Sequence, residues 1–198
     1  ISMSFGGGQF TGYCDQTDLV AQAADAAAAE GLFIVASAGN NGADYVTAPA
    51  CGQNVTAVSS TTKEDAVSSF SNMNGMVSLL APGENVNIPG MNGVQAVSGT
   101  SVSAAHVSGA AALLLQSNSS LTPPDAETPF TTTGRFIEFN AANYSRIDAY
   151  NAITNNVTGY PTNQTINQSN QTWNETNYTA QNTSFSTCRN LNVAGENY

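Results

Sequence analysis

The chain has 198 residues, 41% of them hydrophobic, which suffices for one core-bearing domain with an appendage. Charge is scarce and lopsided, 14 Asp and Glu against 4 Lys and Arg. A nucleic-acid-binding surface needs Lys and Arg at the phosphates, so that class is excluded, and no run of about eighteen apolar residues exists to span a bilayer.

The amino terminus shows no charged-then-apolar leader and opens directly on "ISMSFGGG" without an initiator methionine, as expected of a piece of something longer or a trimmed product. Residues 1–5 read as a buried strand ending at Gly6, Gly7 and Gly8. "TDLVAQAADAAAAEG" reads as a helix: Asp18 caps it, the alanines favour it, and Gly31 supplies a left-handed stop. "LFIVASA" is apolar nearly throughout, the mark of a strand covered on both faces. Strand, helix, strand implies a right-handed parallel crossover. "NVTAVSS" and "MVSLLAPG" add two strands, "SAAHVSGAAALLLQS" is a long apolar helix, and "RIDAYNAI" is a last short helix. The fold class expected for residues 1–153 is α/β, a parallel sheet with flanking helices.

Near residue 154 the composition turns to Asn, Thr and Gln, with almost nothing to bury. Set in sevens from Asn163 the text runs NQTINQS, NQTWNET, NYTAQNT, with Ile166, Trp173 and Ala180 at one repeat position. A coiled coil is one reading, but Asn and Thr are poor helix formers and one apolar position per heptad holds no seam. The other is an extended, Asn/Thr-rich, glycan-bearing stalk over 154–198. Sequons (Asn-x-Ser/Thr) stand at Asn54, Asn118, Asn143 and Asn156, scattered, and at Asn163, Asn167, Asn170, Asn174, Asn177 and Asn182, crowded. N-linked glycans and an extracellular place, secreted or cell-surface, are expected. Of three cysteines, Cys14, Cys51 and Cys188, one is left over after any pairing, and Cys188 would tether the tail to something.

In "GTSVSAAHVSG", residues 99–109, a serine precedes the single histidine of the chain by five positions. On a helix, five residues turn a side chain about 140° and advance it about 7.5 Å. His106 is therefore a poor base for Ser101, since a base must lie within roughly 2.6–3.2 Å of the proton it takes. A structural role, packed under the helix start, suits it better. Ser101 is either the cap of the following helix or a nucleophile beside the free N–H groups of that helix's first turn.

"GTSVSAAHVSG" resembles the serine motif of the subtilisin-like serine proteases (subtilases), G-T-S-x-A-x-P-H-V-x-G. Gly99, Thr100, Ser101, His106, Val107 and Gly109 are in register, while Ser103 and Ala105 replace the usual alanine and proline. "SMSFGG", "GLFIVASAGNNG", "APAC", "SSFSN", "LLAPG" and "RIDAYNAI" match the family's text in its order, over residues 1 to about 153. The resemblance implies the carboxy-terminal, Ser-bearing part of a subtilase catalytic domain, with a partial subtilisin-like sheet. It makes Ser101 the nucleophile and Asn40 the oxyanion amide, although Asn40 in "GNNG" also suits a plain turn. Ser4, Phe5, Gly6 and Gly7, and Ser37, Ala38 and Gly39, would bind substrate, the first set as an edge strand pairing with peptide backbone. Asn72, Pro82 and Gly83 are scaffold. A Cys14–Cys51 bridge is implied by secreted subtilases with cysteines in equivalent places; free thiols are the alternative.

In this family the triad order is Asp, His, Ser. No "D-T-G" or "H-G-T-H" text is present, and Asp15, Asp18 and Asp25 lie downstream of the first matched strand. Asp and His would come from an upstream segment or a second chain, and Ser101 without imidazole is an ordinary alcohol. This chain alone is thus expected to be inactive. The first reading is a secreted serine endopeptidase acting on peptide or protein substrates, complete only in its parent. The second is a catalytically inactive surface or fibre-forming glycoprotein on the same scaffold. A hydrolase of another fold is a distant third, because "GTSVS" lacks the second glycine of a G-x-S-x-G elbow. No cofactor and no metal site are expected; calcium stays open for the complete parent and is not assignable here.

Overall fold

The computed structural model describes residues 1–156 apart from Asn92. The sequons from Asn163 to Asn182, Cys188 and the stalk reading of the tail lie outside the described residues. In chain order the elements are β1 (Ser2–Met3), β2 (Gly7–Phe10), α1 (Leu19–Ala29), β3 (Val35–Ser37), β4 (Val46–Ala48), β5 (Thr56–Thr61), β6 (Leu79–Pro82), β7 (Val86–Gly90), β8 (Gly93–Val97) and α2 (Thr100–Ser117). A 3-10 turn (Pro123–Ala126), α3 (Glu127–Thr133), β9 (Arg135–Phe139), β10 (Ala142–Arg146) and α4 (Ala149–Asn156) follow.

The main sheet runs β1-β3-β5-β6-β10-β9, parallel except for the β9 edge. Every residue of β3 and β5 is buried. Successive strand residues face opposite sides. Ile34 and Ala36 accordingly join a core with Ala21 and Ala24 of α1, whereas Val35, Val58 and Leu79 pack on Val107 and Leu114 of α2 and Phe130 of α3. Strand β5 is rich in hydroxyls, and a buried polar group is stabilised only when bonded. Ser59 Oγ donates to Asn72 O (2.5 Å), Ser60 N–H donates to Ser71 Oγ (2.8 Å), and the Ser60 and Ser68 hydroxyls pair at 2.9 Å.

The α1 reading holds at both ends. Asp18 Oδ1 accepts from the N–H groups of Val20 (2.9 Å) and Ala21 (3.0 Å), and Gly31 takes φ +86°. Other boundaries move. Only Ser2 and Met3 of "ISMSF" pair as a strand. The closing helix starts at Ala149, because Arg146 belongs to β10 and Asp148 accepts the Asn151 N–H at 2.9 Å. The small β2–β4 ladder, hairpins β7–β8 and β9–β10, and α3 were not foreseen. The β9–β10 turn places Asn140 and Ala141 at φ +50° and +62° without the glycine that usually announces such a turn.

Candidate active site

Strand β1 pairs with β3 in the register Ser2↔Val35 and Met3↔Ala36, which brings Ser4 alongside Ser37 at the carboxyl end of the sheet. Ligands of parallel α/β sheets bind at that end. Helix α2 starts there too: Gly99 N–H donates to Gly83 O just beyond β6 (2.8 Å), and Ser101 is the second helical residue. Ser101 is therefore inside the first turn. It does not cap the helix, whose N-cap position is Gly99 with no side-chain bond.

The missing cap comes from across the sheet. Asn40 Oδ1 accepts both the Thr100 backbone N–H (2.8 Å) and the Thr100 hydroxyl (2.9 Å), while Thr100 Oγ1 accepts the Gly39 N–H (3.2 Å). Because a backbone N–H only donates, the atom facing it must be the amide oxygen. The Asn40 NH2 then points away, with no acceptor among the described residues. A side chain starting from Gly99 would lie 3.5 Å from Asn40 Nδ2 and 3.8 Å from Ser101 N, so both nitrogens border one open point. The Ser101 N–H lies in the first turn and has no intrahelical carbonyl to serve.

Ser101 and Ser4 are reciprocally bonded: Ser101 Oγ donates to Ser4 O (3.1 Å) and Ser4 Oγ donates to Ser101 O (3.0 Å). His106 corrects the reading of it as packed under the helix start. It is exposed, with Nδ1 3.0 Å from Val102 O, directed along its own helix.

The loop carrying Asn40 is held from below by fully buried Asn72, whose Oδ1 accepts the N–H groups of Asn41 (2.8 Å) and Ala43 (3.2 Å). Gly39 cannot be replaced here: it has φ +116°, and an added Cβ would meet Asn72 Nδ2 at 2.4 Å. Ser37 and Ala38 are buried, and Ala38 O already accepts from Thr47 N–H (3.0 Å). Ser4, Phe5, Gly6 and Gly7 are exposed, although Gly7 also pairs with Ala48. Of the two departures from the family motif, Ser103 is buried and donates to Ala81 O (2.9 Å), whereas Ala105 is exposed. Sequence reasoning gave Thr100 no role of its own, although its place in "GTS" was the available signal.

Cys14 and Cys51 form a disulfide with Cα atoms 5.5 Å apart, within the usual span. Beside it, Asp15 Oδ1 accepts the Gln53 N–H and Asp25 Oδ1 the Asn54 N–H, both at 2.9 Å. Burial, and then the hydrogen bond with Asp15, lifts Asp25 above the usual carboxylate value. Burial pushes Asp15 upward as well, but hydrogen bonds from Asp25 and from the Gln53 N–H outweigh it and hold Asp15 below that value. Among the described residues, no His, Cys, Asp and Glu side chains gather in a group able to hold a metal ion, and no helix is long and apolar enough to cross a membrane.

The model of the Subtilase family matches residues 1–155. The chain belongs to the subtilase family. It is 36% identical over 147 residues to the thermophilic serine proteinase of Bacillus sp. (strain AK1), covering 71% of this chain and 36% of that protein. To alkaline serine exoprotease A of Vibrio alginolyticus it is 38% identical over 128 residues, 64% of this chain and 23% of the relative. Among solved structures, a cold adapted subtilisin-like serine proteinase superposes with TM-score 0.63 at 34% identity, over 73% of this chain and 52% of the other. The subtilase chain described here thus spans about a quarter to a third of the curated relatives it matches.

Proposed function

We propose that this chain is the Ser-bearing part of an extracellular serine endopeptidase, with residues 1–153 as the carboxy-terminal portion of the catalytic domain and 154–198 as a separate tail. Ser101 attacks the scissile carbonyl. The tetrahedral oxyanion is held by the Asn40 side-chain NH2 and the Ser101 backbone N–H, and Ser4–Gly7 with Ser37–Gly39 border the peptide. One observation carries this reading: Asn40 Oδ1 is pinned by Thr100, so its NH2 faces the first turn of α2 beside Ser101. An amide fixed before reaction stabilises developing charge without reorganising, typically by about 2.7–4 kcal/mol.

The triad Asp and His come from polypeptide outside this sequence, an upstream segment or a second chain. Two surfaces support such a partner. Among the described residues strand β1 has a sheet neighbour on one side only. Helix α2 is apolar nearly all round, as fully covered helices are, yet leaves Ala105, Gly109, Ala112 and Leu113 exposed. An oxidising compartment is supported by the Cys14–Cys51 bridge.

The second reading, an inactive surface or fibre-forming glycoprotein, is favoured by the Ser101 hydroxyl being spent on the Ser4 carbonyl while His106 turns to Val102. A fluorophosphonate probe separates the two. The expected result is labelling of Ser101 in the assembly with the upstream polypeptide, none in the isolated chain, and none after Ser101→Ala. An unlabelled assembly whose upstream sequence lacks Asp and His would establish the inactive scaffold instead.

A further inference from the structure

Parallel topology sorts the sequons by position. Strands β3, β5, β6 and β10 all run toward the Ser101 end, and α2 runs back from it. Asn54 lies two residues before β5, and Asn143 is the second residue of β10. Asn118 is the C-cap of α2, seventeen residues beyond Ser101 and so about 25 Å away along the helix axis. The backbone of α4 likewise ends at Asn156. Every sequon asparagine among the described residues therefore falls at the pole opposite the nucleophile.

Asparagine itself is not confined there. Asn40, Asn41, Asn72 and Asn85 belong to the Ser101 end, and none has Ser or Thr two positions on. What segregates is the hydroxyl that completes the acceptor.

We propose that this opposite pole is an N-glycosylated surface, with Asn54, Asn118 and Asn143 as acceptors for an N-linked oligosaccharide. The inference rests on the extracellular reading above. Asn54 and Asn143 are exposed, and their side chains make no hydrogen bond among the described residues. Asn54 stands on the rim of a cleft of about 650 Å³ between the strand starts and the 3-10 turn, where exposed Tyr13 and Leu32 offer the first sugars an apolar surface.

In the transfer, the Asn Nδ2 forms a bond to the anomeric carbon of an oligosaccharide carried on a polyprenyl diphosphate. The anomeric C–O bond breaks, the amide proton passes to a base of the transferring enzyme, and the polyprenyl diphosphate leaves. The sequon hydroxyls date this step. Thr56 and Ser145 are buried in the finished fold, donating to Glu127 Oε2 and Phe130 O, so modification precedes the closure of β5 and β10.

The test is to isolate the protein from the cells that make it, separating medium from cell fractions, and to release glycans with an N-glycosidase in heavy-oxygen water before peptide mass spectrometry. Asn54, Asn118 and Asn143 are expected to appear as labelled aspartates in material from the medium. Extracellular protein with all three unlabelled overturns this inference and leaves the location standing; protein found only inside cells and unlabelled overturns both. Asn54→Gln, Asn118→Gln and Asn143→Gln should each remove one glycan mass step and leave probe labelling of the assembly at Ser101 unchanged. Loss of that labelling would contradict the separation of the poles.

Discussion

Asn40 does two things with one amide: its oxygen caps α2 through Thr100, and its nitrogen borders the open point beside Gly99. The two roles come apart by substitution. Asn40→Ala is expected to lower kcat of the assembled enzyme by about 10²–10³ with little change in KM, and to cost about 1 kcal/mol of stability through the lost cap. Asn40→Asp keeps an acceptor for the Thr100 N–H but sets a carboxylate where negative charge develops. Near-normal melting with activity as low as Asn40→Ala is the expected result, measured by thermal denaturation beside steady-state kinetics. The Asp15–Asp25 pair gives a pH signature. A carboxyl raised in the folded state contributes stability that is full below its unfolded value, 3.8, and is lost as pH climbs through the folded one. Asp25→Asn keeps the acceptor for Asn54 N–H and gains a donor for Asp15. The variant is expected to match the parent near about pH 3 and to melt above it near about pH 7, in scans across that range; parallel curves for the two would refute the upward displacement of Asp25.

At the level of elements, α2 sits unusually close to the turn after β6. Ser103 Oγ occupies the place a Gly83 Cβ would take, at 2.1 Å, with Ser60 Oγ at 2.6 Å and Gly99 O at 2.8 Å. Gly83→Ala should therefore be strongly destabilising, and less so in a Ser103→Ala background. A double-mutant cycle by denaturant unfolding is expected to give a coupling of about 0.5–3 kcal/mol, and strict additivity would show that the clash is relieved elsewhere. The bridge from the α1 entry loop to the loop before β5 closes a sequence separation of 37. By loop entropy, Cys51→Ser with Cys14→Ser should lose about 4 kcal/mol, read from the same unfolding curves.

Over the molecule as a whole, the β1 edge of the sheet has no strand beyond it among the described residues, and α2 exposes Leu113 at 55%. Apolar surface left open in this way favours self-association over a single folded species. The isolated chain is expected to melt broadly and to associate as concentration rises. Upstream polypeptide added in trans should sharpen and raise the transition. A steep, concentration-independent melt of the lone chain would count against the need for a partner segment.

The amino-acid sequence on its own determined the family and the local chemistry. Gly99 to Gly109 carry the serine motif, Asp18 and Gly31 bound α1, and the apolar run at residues 32–38 contains the buried strand β3 (Val35–Ser37), because capping, propensity and burial patterning act over a few residues. Only the tertiary structure decided which way Asn40 turns its amide, since that depends on Thr100, sixty positions away in the chain. The same is true of the exposure of His106, the Ser4–Ser101 pairing and the gathering of sequons at one pole. Helix boundaries near residues 100 and 149 and the β9–β10 hairpin also waited on it, because a borrowed cap and a turn without glycine leave no local mark. Short-range forces write themselves into neighbouring residues; contacts that close long loops do not.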